Sequence, residues 1–201
     1  MKKFIRDYFE TLKRLFDQTI ATDIYGQTFS LDEAIDTAVL MIAEQATAGG
    51  KLLFIGNGAS ASIASHMAAD FLKNAQIQAL AFNDSALLTC MSNDYGYPHV
   101  FEKPILAFAE AADVLVAISS SGQSENILLA VSAAKQKGAK VITLSGFARN
   151  NPLRKCGDIN FYVPSSQYGY VESLHHAVCH CLVDTIIHSK SKLTAPVLTH
   201  T

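Results

Sequence analysis

The fold of this chain is decided by the stretch Val114-Leu115-Val116-Ala117-Ile118-Ser119-Ser120-Ser121-Gly122-Gln123-Ser124-Glu125-Asn126. Its first five residues are apolar, and such a run predicts a strand that is buried on both faces of a sheet. The residues that follow are small and rich in hydroxyl groups, and they predict a turn that opens a helix. A buried strand that leads through a tight turn into a helix is the repeating unit of a parallel α/β sheet.

The same alternation of apolar runs and helical segments extends from residue 51 to residue 189. The predicted strands are 52–55, 78–82, 114–118, 140–144 and 159–163. The predicted helices begin near Ser60, Ser85, Val100, Ser124 and Tyr170. We therefore expect an α/β fold with a doubly wound, five-stranded parallel sheet sandwiched by helices. In such sheets, ligands bind beyond the carboxyl ends of the strands, where the strand order reverses.

The first fifty residues show helical periodicity, because apolar residues recur at spacings of three and four on both sides of Gly26. The second of these segments begins at Ser30, with Glu33 placed to complete a capping box. Aromatic residues cover a wide arc of the first helix, and we expect that face to contact either another subunit or the rest of its own domain. We expect a single domain with an N-terminal helical hairpin (1–50), an α/β core (51–189) and a tail (190–201).

Composition excludes several classes of partner. The chain has 201 residues, of which 49% are hydrophobic and 17% are charged, as in an ordinary folded domain. Its formal charge of −2 gives no general electrostatic reason to bind nucleic acid or an anionic membrane. No apolar run approaches the roughly 20 residues that span a bilayer, and the start lacks the apolar core of a signal peptide. We expect a cytoplasmic protein with reduced cysteines at positions 90, 156, 179 and 181.

Two turns at predicted strand ends, 56–62 and 119–126, combine glycine with several serines. The backbone N–H groups at the start of a helix, together with serine hydroxyls, bind an anion without any basic side chain. The alternative is that these serines only cap helices, which explains one serine more easily than the four at positions 119–124. Neither turn has the Walker pattern, and the first lacks the third glycine of a dinucleotide-binding motif, so we expect no nucleotide cofactor.

Four motifs along the chain occur together in one known family. They are the serine turn at 118–126, the stretch from Gly56 to Asp70, the run Ser92-Asn93-Asp94-Tyr95-Gly96, and a last helix that carries Glu172 and His180. In this combination the chain resembles a SIS (sugar isomerase) phosphosugar-binding domain and, more narrowly, the phosphoheptose isomerases. The resemblance extends over almost the whole chain, including the N-terminal helices.

The resemblance implies that the chain converts sedoheptulose 7-phosphate into a heptose 7-phosphate for bacterial envelope glycans. It also implies a homotetramer whose active sites lie between subunits. The residues that it implies for phosphate are Ser119, Ser120, Ser121 and Ser124. The residues that it implies for the sugar are Asn57, Gly58, Ser60, Asn93 and Asp94.

Aldose–ketose isomerisation needs a base that moves a proton between two carbons and an acid that serves the oxygens. Two predicted helices carry such groups at helical spacing: His66 and Asp70 share one face, and Glu172, His176 and His180 form a stripe. The resemblance implies that Asp70 is the catalytic base and that His180 is the catalytic histidine.

Three departures from the family pattern affect these roles. The family usually has Glu where this chain has Asp70, and a displacement of about 1 Å can cost about 10²-fold in rate. Glu172 stands where the family usually has Gln, so this second carboxylate could be the base instead of Asp70. Gly169 and Tyr170 replace an acidic and a basic residue that usually face the substrate, which leaves the identity of the sugar open.

A metal ion is a further expectation. Some members of the family bind zinc, and the matching residues here are His66, Asp70, Glu172 and His180. Two imidazoles and two carboxylates suit a tetrahedral zinc site.

Two other functions remain open at this point. A non-catalytic SIS-domain tetramer could act as an interaction protein, as replication-initiation regulators of this family do, but those regulators lack the catalytic acid. This chain has Asp70 and His180, which favours an enzyme. A phosphosugar sensor would keep the serine turn and add a DNA-binding module, which we do not find in this sequence.

Overall fold

The computed structural model describes residues 1–194, and their side chains as far as Lys190. Its helices are α1 (Lys2–Asp17), α2 (Leu31–Thr47), α3 (Ala59–Lys73), α4 (Ser85–Tyr95), α5 (Glu102–Phe108), α6 (Glu125–Gln136) and α7 (Tyr168–Thr194). Its strands are β1 (Ile20–Asp23), β2 (Thr28–Phe29), β3 (Leu52–Gly56), β4 (Ala79–Ala81), β5 (Val114–Ser119), β6 (Lys140–Ser145) and β7 (Ile159–Tyr162). The predicted α/β fold class is confirmed, and each of the five predicted strands forms within one residue of its expected bounds.

The strands form one sheet in the order β2-β1-β7-β6-β5-β3-β4. Strands β3 to β7 are parallel to one another, whereas β1 pairs antiparallel with β7 and β2. The sheet therefore has seven strands rather than the five predicted. Because β3 lies between β4 and β5, the order of the parallel strands reverses between β3 and β5. That reversal is the topological switch point, where ligands of such sheets bind.

Helices cover both faces of the parallel strands. One apolar layer joins the sheet to α2, α3 and α7, and the other joins it to α5 and α6. Strand β5 serves both layers, since Val116 and Ile118 point into the first while Leu115 and Ala117 point into the second. Burial of each large aliphatic side chain is worth about 1.5–3 kcal/mol, which is why a strand whose first five residues are all apolar is stable between two layers of helices.

The N-terminal helical hairpin is interrupted by a short β-hairpin that the sequence analysis missed. Strand β1 forms the outer neighbour of β7, and its Ala21 is fully buried. The turn is closed by the carboxylate of Asp23, which accepts hydrogen bonds from the backbone N–H groups of Tyr25 and Gln27 at 2.9 and 2.8 Å. Strands of four and two residues are too short to show a period of two, so the pattern could not reveal them.

Helix α1 leaves most of its apolar surface exposed. Among its residues only Leu15 is buried, while Phe4 and Phe9 are 71% and 63% exposed. No helix within residues 1–194 is long and apolar enough to cross a membrane. Residues 190–194 of the predicted tail continue α7, and the rest of that tail lies outside the described residues.

Candidate functional site

The turns that follow β3 and β5 lie side by side at the switch point and line one cavity of about 250 Å³, here called the serine pocket. Its lining residues are Asn57, Gly58, Ala59, Ser60, Ile118, Ser119, Ser120, Ser121, Ser124, Tyr168 and Glu172. All four serines predicted to bind phosphate lie here, together with three residues predicted to bind the sugar. A larger cavity of about 490 Å³ between α1, α2 and α7 has an acidic rim and lies away from both turns.

The serine turn is held in one shape by its own hydrogen bonds. The N–H of Gly122 donates to the carbonyl and to the hydroxyl of Ser119, at 3.0 and 3.2 Å. The hydroxyl oxygens of Ser119 and Ser124 lie 3.3 Å apart, and Leu153 N–H donates to the carbonyl of Gly122 at 3.1 Å. Gly122 has φ +62°, and a Cβ there would lie 2.0 Å from Oδ1 of Asn151, so only glycine fits.

The positive character of the serine pocket comes from helix ends. Within the described part of the chain, no lysine or arginine lines it. The N-cap residues of α3 and α6, Gly58 and Ser124, make no side-chain hydrogen bond to the first turn of their helices. Among the described residues, the first two N–H groups of α6, those of Glu125 and Asn126, have no hydrogen-bond partner. In α3 the N–H groups of Ser60 and Ala61 already donate to backbone carbonyls of the turn, both at 3.0 Å. Each helix end carries roughly half a positive charge. Two such ends at one cavity suit a phosphate group.

Asn57 is the best-oriented side chain of the serine pocket. It exchanges two hydrogen bonds with the buried amide of Asn126, at 2.9 and 3.0 Å, and its Oδ1 also accepts from the hydroxyl of Tyr97 at 2.9 Å. These bonds fix the plane of the Asn57 amide. The sequence analysis missed the contributions of Asn126 and Tyr97, because they come from other helices and turns and no spacing connects them to Asn57.

A second group of polar side chains lies where α3 packs beside α7. We call His66, Asp70, His176 and His180 the histidine cluster. The Asp70 carboxylate oxygen Oδ2 lies 3.3 Å from His66 Nε2 and 3.7 Å from His180 Nδ1. Its other oxygen accepts a hydrogen bond from Asn74 Nδ2 at 3.3 Å, which orients the carboxylate. One ligand atom from each of the three imidazoles lies within 4.8 Å of the others.

His176 is the member of the cluster that the sequence analysis did not choose as a site residue. Its ring stacks on that of His180, with centroids 4.6 Å apart, and meets the ring of His66 edge to face at 5.1 Å. Its Nε2 is buried and has no hydrogen-bond partner among the described residues, an arrangement that costs about 1–3 kcal/mol. Burial lowers the pKa of His176, as do the neighbouring His180 and His66, and Asp70 opposes them. The spacing of four from Glu172 and His180 was the signal that could have identified it.

Three predicted site residues lie apart from the cluster. Glu172 lies in the serine pocket, and its carboxylate forms no hydrogen bond or ion pair within the part of the chain that the structure describes. Asn93 and Asp94 are exposed near the end of α4, where the Asn93 amide donates to the Asp94 carboxylate at 2.8 Å. Neither of them lines the serine pocket within one chain.

The model of one protein family matches residues 7–146, and that family is the SIS domain. Among curated proteins, the phosphoheptose isomerase of Rhodospirillum rubrum is 38% identical over 175 residues, which cover 84% of this chain and 92% of that protein.

Two solved structures are similar over nearly the whole chain. The phosphoheptose isomerase of Francisella tularensis matches with a TM-score of 0.80 and 32% identity, covering 94% of this chain and 98% of that one. The phosphoheptose isomerase of Neisseria gonorrhoeae matches with a TM-score of 0.79 and 31% identity, covering 92% of this chain and 98% of that one.

Proposed function

The chain belongs to the SIS domain family and within it to the phosphoheptose isomerases, and from that premise we propose that its substrate is sedoheptulose 7-phosphate. The proposed product is a heptose 7-phosphate for the synthesis of bacterial envelope glycans. The observation that carries this proposal is the serine pocket, because one cavity is lined both by the serine turn and by Glu172. An aldose–ketose isomerase needs a phosphate anchor and a base within one substrate length of each other.

The phosphate is proposed to bind at the serine turn. The proposed donors are the hydroxyls of Ser119, Ser120, Ser121 and Ser124, which line the cavity, and the N–H groups that start α6. These donors are neutral, and backbone N–H groups together with hydroxyls can bind a phosphate dianion without a basic side chain.

Glu172 is the proposed base. It takes a proton from C1 of the ketose, which leaves an enediol, and it returns the proton to C2 to give the aldose. The position of Glu172 supports this role, because Glu172 lines the serine pocket. Asp70, the alternative base, is not among the described residues that line it.

The oxygens of the substrate are proposed to be served by Asp70 and His180. The 3.7 Å separation between Asp70 Oδ2 and His180 Nδ1 lets the carboxylate hold the imidazole with its other nitrogen, Nε2, directed away. That nitrogen can deliver a proton to one oxygen and recover it from the neighbouring oxygen, so that the net charge of the site is unchanged over the reaction.

We extend the proposal to zinc. Of the four ligands expected from the family resemblance, His66, Asp70 and His180 lie in contact, and Glu172 lies on the pocket side of α7. Imidazoles with a carboxylate form a donor set that suits zinc. When bound, zinc supplies Lewis-acid polarisation of the sugar oxygens. Glu172 keeps the role of moving the carbon-bound proton in that state.

A homotetramer with active sites between subunits is part of the same proposal. The exposed aromatic side chains of α1, among them Phe4 and Phe9, support a contact with a second copy. The exposed positions of Asn93 and Asp94 support a role at such an interface, since these residues are implied to bind sugar but do not line the pocket of their own chain.

The test is the exchange of the C1 proton of sedoheptulose 7-phosphate with solvent deuterium, followed by NMR together with the appearance of the aldose. We expect exchange by the wild-type chain. Glu172→Gln, which keeps size and removes the base, is expected to lower the exchange rate by about 10²–10⁴-fold while binding of the sugar phosphate is retained.

Three outcomes would contradict parts of the proposal. Loss of exchange in Asp70→Asn with full exchange in Glu172→Gln would make Asp70 the base. Saturable binding without exchange in the wild type would favour the non-catalytic interaction protein. No binding of sedoheptulose 7-phosphate would overturn the substrate assignment, and other phosphosugars would then be compared in the same assay.

A further inference from the structure

We propose that the divalent cation of this chain, zinc by its donor set, is held by His176 and not by Glu172. The site then consists of two pairs of side chains at a spacing of four residues. His66 and Asp70 form the pair on α3, and His176 and His180 form the pair on α7. This inference rests on the proposed function only in placing the cation beside the serine pocket. In it, Glu172 does not bind the cation and acts only on the substrate.

The first argument is convergence. Two histidines at positions i and i+4 of one helix present their rings on one face, and such a pair is a common zinc-binding arrangement. Here that face of α7 meets the His66–Asp70 pair of α3. One ligand atom from each of the three imidazoles already lies within 4.8 Å of the others. Ligand atoms around tetrahedral zinc lie about 3.3 Å apart, given Zn–N bonds of 2.0–2.1 Å, so the side chains need to close by no more than about 1.5 Å.

The second argument is the unpartnered nitrogen. His176 Nε2 is buried against the rings of His66 and His180 and has no hydrogen-bond partner among residues 1–194. A buried imidazole nitrogen without a proton acceptor or donor is costly, and coordination of a cation by its lone pair satisfies it. Asp70 supplies the negative charge, and its Oδ1 is already oriented by Asn74.

The third argument is the position of Glu172 along α7. It lies eight residues from His180, which is about 12 Å along the helix axis, whereas His176 lies about 6 Å from His180. Glu172 lines the serine pocket and is not part of the group of ligand atoms that lie within 4.8 Å of one another in the described part of the chain. His176 thus fills the position next to His180, and Glu172 remains available as a base.

The experiment measures metal binding without any sugar. The full-length chain is stripped with a chelator and titrated with Zn²⁺ against a chromophoric competitor, and Co²⁺ is used to report ligand geometry by its visible absorption. We expect one zinc per chain. His176→Ala should weaken zinc binding by more than about 100-fold, the upper end of what the loss of an indirect contact costs, and should change the Co²⁺ spectrum. Glu172→Gln and the remote control His99→Ala should leave zinc affinity within about 2-fold of wild type.

A variant that restores a metal ligand distinguishes weaker zinc binding caused by the loss of a ligand from weaker binding caused by a disturbed fold. His176→Cys retains a side chain that binds zinc, and it should recover most of the zinc affinity and shift the Co²⁺ absorption as a thiolate ligand does. A wild-type chain that binds no zinc, or a chain whose affinity falls in Glu172→Gln and not in His176→Ala, would overturn the inference. Zinc binding without deuterium exchange would overturn the proposed function alone, and exchange without zinc binding would overturn this site alone.

Discussion

The serine pocket and the histidine cluster hold their functional groups in opposite ways. The pocket uses backbone N–H groups and short hydroxyl side chains at the ends of β3 and β5, so the sheet itself fixes their positions. The cluster uses side chains of α3 and α7, and all four of its residues are partly or largely exposed to solvent. None of its groups is held by a strand.

This difference predicts how each region responds to substitution. A donor that belongs to the backbone cannot be removed by replacing one side chain, whereas a carboxylate or imidazole on a helix surface can be removed with little effect on the fold. The pocket should therefore be sensitive to changes in backbone shape, and the cluster to single changes of side-chain chemistry.

The largest effect is expected from Gly122→Ala, which distorts the serine turn. The new Cβ would lie 2.0 Å from Asn151 Oδ1, at a residue whose φ is +62°. Asn151 cannot move freely, because its amide donates to the carbonyls of Gly146 and Ala148 at 3.0 and 2.9 Å. Backbone strain and overpacking together should lower the free energy of unfolding by about 2–5 kcal/mol, measured by urea denaturation, and binding of sugar phosphate should be lost.

The matched control for this variant is Gly49→Ala. Gly49 also has positive φ, at +87°, but nothing lies within 4 Å of a Cβ built there. It should cost only the backbone strain of about 1–2 kcal/mol and leave binding unchanged. Equal losses of stability in the two variants would contradict the clash with Asn151.

Two single substitutions, one in each region, should change different kinetic constants. Asp70→Asn in the histidine cluster removes the partner of His66 and His180, and we expect kcat to fall by about 10²-fold with KM nearly unchanged. Ser124→Ala in the serine pocket removes one neutral donor, and we expect KM to rise by about 10-fold with kcat nearly unchanged. Steady-state kinetics of aldose formation measures both. The distinction fails if the two variants change the same kinetic constant.

The serine pocket could be predicted from sequence because everything it needs is local. Each strand, its turn and the start of its helix are consecutive in the chain, as in the stretch from Ile118 to Asn126. The parallel sheet then brings the two turns together by a rule of topology. Gly122 was part of this pattern, although the clash that requires a glycine there comes from Asn151, which no local pattern indicates.

The histidine cluster could be predicted only in part. Spacing showed that His66 shares a face with Asp70 and that His176 shares one with His180. It could not show that these two faces are in contact, because more than 100 residues separate them in the chain. Convergence depends on how α3 and α7 pack on the same side of the sheet, which is a tertiary property. The β1–β2 hairpin was missed for a different reason, since its strands are too short to carry a periodic signal.

The smallest expected effect concerns the orientation of one amide. The hydroxyl of Tyr97 donates to Asn57 Oδ1 at 2.9 Å, while Asn126 already exchanges two hydrogen bonds with the same amide. Tyr97→Phe removes a single neutral hydrogen bond at an exposed site, which is worth about 0.5–1 kcal/mol. We expect KM to rise by about 2- to 5-fold without a change in kcat. Asn126→Ala, which removes both amide bonds, should have a larger effect on the same constant. A fall in kcat in Tyr97→Phe would mean that Tyr97 takes part in the proton transfers and not only in holding Asn57, and the expectation that Tyr97 and Asn57 act on substrate binding alone would then be wrong.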